Sequence, residues 1–229
     1  MRNRILLIHG YVEDPTIFDT LVPLLPPAEY VRINLADEFQ RWQPMGAVNV
    51  RRLAQTLIDL YEIRADDVII GHSMGGWVAI NIKELSGSTV IQLASWTNQK
   101  KILFPTDNLT ILKLMLNTGL TQSRMLTRFF RKAYPFQESR ALYDQLLEGS
   151  TTMARLYVWQ QLQTLFAKVA PLTVQPDLRI HARRDSIVAP PDEPFVDVPG
   201  DHFCLVFHAE AVAEPIRTLL ANRSGMGAA

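Results

Sequence analysis

Val68-Ile69-Ile70-Gly71-His72-Ser73-Met74-Gly75-Gly76 is the stretch that decides the fold. Three apolar residues, all β-branched, lead into Gly-x-Ser-x-Gly, and an apolar helical pattern follows from Trp77. A strand would carry Ser73 to the edge of a buried sheet, and a very tight turn would leave no room for side chains beside it. Gly71 and Gly75 remove those Cβ atoms. The helix starting after Ser73 would aim its N-terminal N–H groups at the reaction site. The alternative is an ordinary strand-to-helix turn with no chemistry attached.

A serine alone is a poor nucleophile, so an acid and then a histidine are expected further along. Both occur in that order. Asp177-Leu178-Arg179-Ile180-His181-Ala182 has the pattern of a short strand, and the loop leaving it, Arg183 to Pro191, carries Asp185. Phe195-Val196-Asp197-Val198 is the next strand, running into Pro199-Gly200-Asp201-His202-Phe203. Residues just past the C-terminal ends of parallel strands gather on one edge, so Ser73, Asp185 and His202 are expected to meet in space.

With these pieces the chain resembles an α/β-hydrolase over nearly its whole length. Ile5-Leu6-Leu7-Ile8-His9-Gly10-Tyr11 resembles the family's His-Gly strand and loop, and Gly71-His72-Ser73-Met74-Gly75 its nucleophile turn. Asp185 followed by Ile187-Val188 and Pro190 resembles its acid loop, and Gly200-Asp201-His202-Phe203 its histidine loop. The resemblance implies that the backbone N–H groups of Tyr11 and Met74 form the oxyanion hole. Two features depart from the family pattern. The chain opens on what would be the family's third strand, without the usual antiparallel hairpin. His181-Ala182-Arg183-Arg184 also stands where the family more often has His-Gly, which affects local charge but not the triad.

Outside the motifs, short apolar runs alternate with longer helical patterns, the signature of a mostly parallel sheet covered by helices on both faces. Strands are expected at about 4–9, 31–35, 67–71, 89–94, 177–182 and 194–198. Asp14-Pro15 starts a helix carrying Ile17, Phe18, Leu21, Leu24 and Leu25 inward, bent or shortened at Pro23. Val50, Leu53, Ala54, Leu57, Ile58 and Tyr61 mark an amphipathic helix, and the helix from Trp77 is apolar on more than one side. Val206, Val212, Ile216, Leu219 and Leu220 mark a closing helix, and 223–229 is expected to be a flexible tail.

Residues 100–170 break the alternation. Their Leu, Met and Phe stripes have helical spacing and lie between the fourth and fifth strands, where α/β-hydrolases insert a helical cap. The division expected is a core of 1–99 and 171–222 with a cap of three to five helices at 100–170. Phe129 and Trp159 are candidate pocket residues within the cap, and Trp96, after a strand end, is a third.

Composition narrows the function. The 229 residues hold 23 Lys and Arg against 23 Asp and Glu, with no basic excess to suggest a nucleic-acid partner. Cys204 is the only cysteine, so no intrachain disulfide can form and a packing role is expected. Neither a signal peptide nor a membrane span is evident, so a cytoplasmic protein without a membrane partner is expected. The histidines lack metal-ligand spacing, and no cofactor is expected. His9 is expected to hydrogen-bond the oxyanion loop, His72 to be a packed neighbour, and His181 and His208 to be structural. Arg183 and Arg184 are surface cations by default, with a substrate anion as the sharper alternative. Asp201, adjacent to His202, is the rival for the acid role.

These residues point to a cofactor-free serine hydrolase acting on a small to medium, fairly apolar carboxylic ester, or a thioester. A lyase or acyltransferase on the same scaffold is the alternative enzyme class, and a catalytically silent binding protein the alternative outside enzymes.

Overall fold

The computed structural model describes residues 4–42, 44 and 46–226. Among these, six strands form one sheet: β1 (Arg4–Ile8), β2 (Glu29–Ile33), β3 (Val68–His72), β4 (Thr89–Leu93), β5 (Leu178–His181) and β6 (Val196–Asp197). Every pairing is parallel, in the order β2-β1-β3-β4-β5-β6. Each strand lies within two residues of the expected ends. Alternation along the strands feeds two cores: Ile5 and Leu7 of β1 with Val68 and Ile70 of β3 face one, while Leu6, Ile8 and Ile69 face the other.

The helix behind Ser73, α3 (Met74–Ser86), is buried without a break from Met74 to Ile82. It packs in one layer with α2 (Val50–Tyr61), which Asn49 caps by accepting a hydrogen bond from the Arg52 N–H at 3.0 Å. Before α2 comes α1 (Leu35–Trp42), which sequence patterning did not assign. Asn34 Oδ1 accepts from the Ala36 N–H at 3.1 Å, and this cap turns the chain helical where the strand was expected to continue to 35.

The expected helix after Asp14 is instead two 3-10 turns, Pro15–Phe18 and Val22–Leu24. Pro23 has no N–H and would strike the carbonyl four residues back in an α-helix, so the segment tightens into short turns. Ile17, Phe18, Leu21 and Leu25 still reach the core. The closing helix is likewise divided, into α8 (Cys204–Phe207) and α9 (Ala209–Met226), with His208 between them. Residues 223–226, expected in a flexible tail, are the last turn of α9; 227–229 lie outside the described residues.

Between β4 and β5 the chain runs through α4 (Leu109–Asn117), α5 (Arg124–Ala133), α6 (Arg140–Thr152) and α7 (Arg155–Phe166). Strand order reverses between β1 and β3, which flank the crevice where ligands of open α/β sheets sit.

Candidate active site

Ser73 leaves β3 in a conformation that side chains rarely adopt, with φ 52° and ψ −121°. Such a backbone is strained by about 1–3 kcal/mol and persists only when the surroundings over-determine it. They do so here. The Ser73 N–H donates to the Leu93 carbonyl at 2.9 Å, and the Ser73 carbonyl accepts from the Gly76 N–H at 3.0 Å and Ser95 Oγ at 2.7 Å. The glycines are required by contact: a Cβ on Gly71 would lie 2.3 Å from the Gly75 carbonyl oxygen, and one on Gly75 would lie 1.9 Å from that of Ile8.

His202 stands beyond β6 and Asp185 beyond β5, and the expected pair forms. His202 Nδ1 lies 2.7 Å from Asp185 Oδ2, while Asp185 Oδ1 accepts from the Ile187 and Val188 N–H groups at 2.8 and 2.9 Å. Burial works to raise the Asp185 carboxyl, but the His202 ring outweighs it and the acid is held below its ordinary range. Burial also works to lower His202, and the charge and hydrogen bond of Asp185 overcome it, so the ring sits above its ordinary value. With Nδ1 engaged, Nε2 is the nitrogen left for chemistry. His202 and Ser73 both line one cavity of about 450 Å³.

Asp201 faces another task. Its Oδ1 accepts from the Phe203 N–H at 2.8 Å, and its Oδ2 accepts from the Tyr134 hydroxyl at 3.0 Å and from Ser139 Oγ. It ties the loop of His202 to the segment between α5 and α6 and does not orient the imidazole.

On the opposite wall, the loop after β1 brings Tyr11 into the cavity. Among the described residues the backbone N–H groups of Tyr11 and Met74 have no internal acceptor, as donors kept for a ligand would require. Next to them, the Val12 N–H donates to Gln161 Oε1 of α7 at 2.9 Å, with Val12 at φ 53°. His9 holds the base of this loop. Its Nε2 accepts from the Leu35 N–H at 3.0 Å, so Nδ1 carries the proton and donates to the Gly10 carbonyl at 2.9 Å. The expectation for His9 therefore holds, and burial pushes its pKa down.

Two buried residues carry a connection that sequence reasoning missed. Glu13 Oε2 accepts from the Gly10 N–H at 2.6 Å and lies 2.9 Å from His72 Nδ1, while His72 Nε2 donates to the His202 carbonyl at 2.9 Å. Both ring nitrogens of His72 thus face acceptors, and the Glu13–His72 pair holds one proton between Nδ1 and Oε2. Burial works to raise the Glu13 carboxyl, but His72, His202 and the Gly10 N–H outweigh it and keep it below the usual range. The one sequence signal is that Glu13 follows the His9-Gly10-Tyr11 loop closely. Glu13, His72 and His202 also offer ligand atoms within 4.8 Å of one another, the one spacing among the described residues that could hold a metal ion. Glu13 and His72 already spend those atoms on hydrogen bonds.

The other candidates separate. Trp96 is buried and lines the cavity, with its indole N–H unpartnered. Phe129 lines it at the mouth, where the side chain is 65% exposed. Trp159 is not in the cavity wall: α7 turns Leu162 and Leu165 toward the cavity, and Trp159 lies off that face with Lys113 Nζ 5.5 Å from its ring centre. Arg183 pairs with Asp197 at 2.6 Å and Arg184 lies over Phe136, and neither lines the cavity. His181 Nε2 lies 3.1 Å from the Val188 carbonyl, a structural role, and exposed His208 meets Glu138. Cys204 is buried and its thiol is pushed up to about 12, which makes it inert.

Residues 5–221 match the model of the Alpha/beta hydrolase family, and the chain belongs to it. Its fold is similar to the enol-lactonase from Burkholderia xenovorans LB400, at 14% identity and TM-score 0.72 over 96% of this chain and 92% of that one. It is also similar to a thermophilic esterase from Thermogutta terrifontis (14% identity, TM-score 0.67, 96% and 90% covered). A third similar structure is the RedJ thioesterase of the prodiginine pathway in Streptomyces coelicolor (15% identity, TM-score 0.59, 94% and 84% covered). No curated protein sequence matches the chain. Among the described residues, no helix is long and apolar enough to cross a membrane.

Proposed function

We propose that this protein is a cofactor-independent serine hydrolase that cleaves a small to medium, apolar carboxylic ester or thioester through an acyl-enzyme on Ser73. The observation that carries this reading is the 2.7 Å contact between Asp185 and His202, the latter lining the same cavity as Ser73 at its strained turn. His202 Nε2 takes the Ser73 proton as Oγ attacks the carbonyl carbon, then returns it to the leaving alcohol or thiol. Asp185 fixes the tautomer and stabilises the imidazolium. The oxyanion of the tetrahedral intermediate falls to the N–H groups of Tyr11 and Met74. Water, activated by the same histidine, then releases the acid.

The cavity wall supports an apolar substrate. No Lys or Arg is among its described lining residues, so a substrate carboxylate or phosphate buried there would have no countercharge. Leu126, Leu146, Leu162 and Leu165 from the inserted helices offer an acyl chain a hydrophobic wall. In this reading the insertion is a cap that sets chain-length preference.

The test is a fluorophosphonate label followed by peptide mapping, run beside p-nitrophenyl esters of rising acyl length. One label on Ser73, and a loss of hydrolysis on the order of 10³–10⁶ in Ser73→Ala, are expected. Labelling that persists in Ser73→Ala would overturn the assignment.

A further inference from the structure

The chain is neutral overall, yet its charge is not evenly spread. Residues 100–170 hold ten Lys and Arg against four Asp and Glu, leaving the remainder correspondingly acidic. The excess is concentrated on α5. Arg124, Arg128 and Lys132 recur every four residues, are exposed, and make no ion pair or side-chain hydrogen bond among the described residues. Arg131, on another side of the helix, is committed to Asp144 and Glu148.

Beside this cationic row runs an apolar one. Met125 and Phe129, also four apart and each one position on from a basic residue, are 72% and 65% exposed. Rows offset by one residue are neighbouring stripes on a helix surface. The apolar stripe continues into the cavity that holds Ser73, because Phe129 lines it together with Leu103 and Phe104, which are themselves exposed. Large apolar side chains left in water around a cavity mouth mark a contact surface.

From these rows we propose that the α5 face docks the protein on an anionic lipid surface, with the cavity mouth opening toward the acyl region. Lipid matches both stripes at once. Phosphate or carboxylate headgroups answer the three uncommitted cations, and the acyl boundary takes Met125, Phe129 and Leu103. Two copies meeting through this face would oppose their cationic rows, and an acidic protein partner would leave the apolar stripe against carboxylates. No membrane span is needed for a contact of this kind. Apolar substrate would then pass from the bilayer to Ser73 without crossing water, so the surface and the hydrolase reading support one another while resting on separate residues.

The test uses the full chain carrying Ser73→Ala, so that binding is measured whether or not the hydrolase reading holds. Flotation with phosphatidylcholine vesicles, with and without about 30% phosphatidylglycerol at low salt, should show binding to the anionic vesicles and its loss as salt rises. Replacing Arg124, Arg128 and Lys132 with Gln should weaken partitioning about a hundredfold. Replacing Arg41, Arg64 and Arg217 makes the same change in net charge off α5 and should leave binding in place. Phe129→Ser should weaken binding while the thermal melt stays unchanged. No binding to the anionic vesicles, or equal loss in the two triple variants, would overturn the proposal. Binding to an acidic protein in place of vesicles would overturn it too.

Discussion

Glu13 Oε2 lies 2.9 Å from His72 Nδ1 and 2.6 Å from the Gly10 nitrogen, so one carboxylate oxygen joins the loop after β1 to the last residue of β3. The other nitrogen of His72 carries the connection on to the His202 backbone. A single hydrogen-bonded path therefore ties the loop that carries the Tyr11 N–H to the backbone of His202. Glu13→Gln keeps the shape but removes the charge, and should lower kcat by about tenfold or more with little change in KM, as expected when only transition-state alignment is lost. Glu13→Ala should instead lower stability by about 3–5 kcal/mol, because it strands a buried ring and a buried N–H. Denaturant melts beside kinetics separate the two effects; unchanged kcat in Glu13→Gln would deny the path a role in alignment.

The pH profile follows from His202. Its ring is held above the histidine reference of 6.5 by Asp185 despite burial. Only neutral imidazole accepts the serine proton, so activity should fall as pH drops through that raised value, and the midpoint of kcat/KM should lie above 6.5. Glu13→Gln removes one of the negative charges raising the ring and should move the limb to lower pH. A limb that stays fixed would show that Glu13 carries no charge in the working enzyme.

Asp185 and Asp201 should separate cleanly. Asp185→Asn is expected to cut turnover by as much as about 10⁴ while the fold survives, since the amide favours the wrong tautomer. Asp201→Asn should cost far less turnover. Its effect belongs to the Tyr134 and Ser139 contacts, a stability loss of about 1–3 kcal/mol. Reversed kinetic effects would exchange the two assignments.

Acyl selectivity should reside in the residues that line the cavity. Leu162→Phe adds volume on the wall and should lower kcat/KM for long acyl esters relative to short ones by about 10–200-fold. Trp159→Ala, off that wall, should leave the ratio in place. Equal shifts in both variants would argue against the cavity as the acyl site.

What was legible in the sequence was whatever local pattern dictates. Each strand was found from its apolar run, and the meeting of Asp185 with His202 at the cavity that Ser73 also lines was expected from their places after strands. What could not be read depends on three-dimensional company. Glu13 was given no role because nothing near it in sequence announces His72, 59 residues away. Gln161 sits 149 residues from the N–H it holds. Trp159 was misplaced because a helical stripe shows which residues are apolar, but not which neighbouring surface each one meets. Pro23 was expected to bend a helix; in the folded chain two 3-10 turns replace it.

The bond from Gln161 to the Val12 N–H changes how the insertion can move. α7 also packs on α1, α2 and α3, and the Thr164 carbonyl accepts from the Trp77 indole at 3.1 Å. Mechanically, α7 is bedrock shared with these helices, and the loop after β1 is moored to it. A motion that swung all four helices between β4 and β5 together would tear that mooring and free the loop that carries the Tyr11 N–H. The α5–α6 arm has a mooring of its own, from Tyr134 and Ser139 to Asp201, so the cavity wall is held both from the loop after β1 and from the loop of His202.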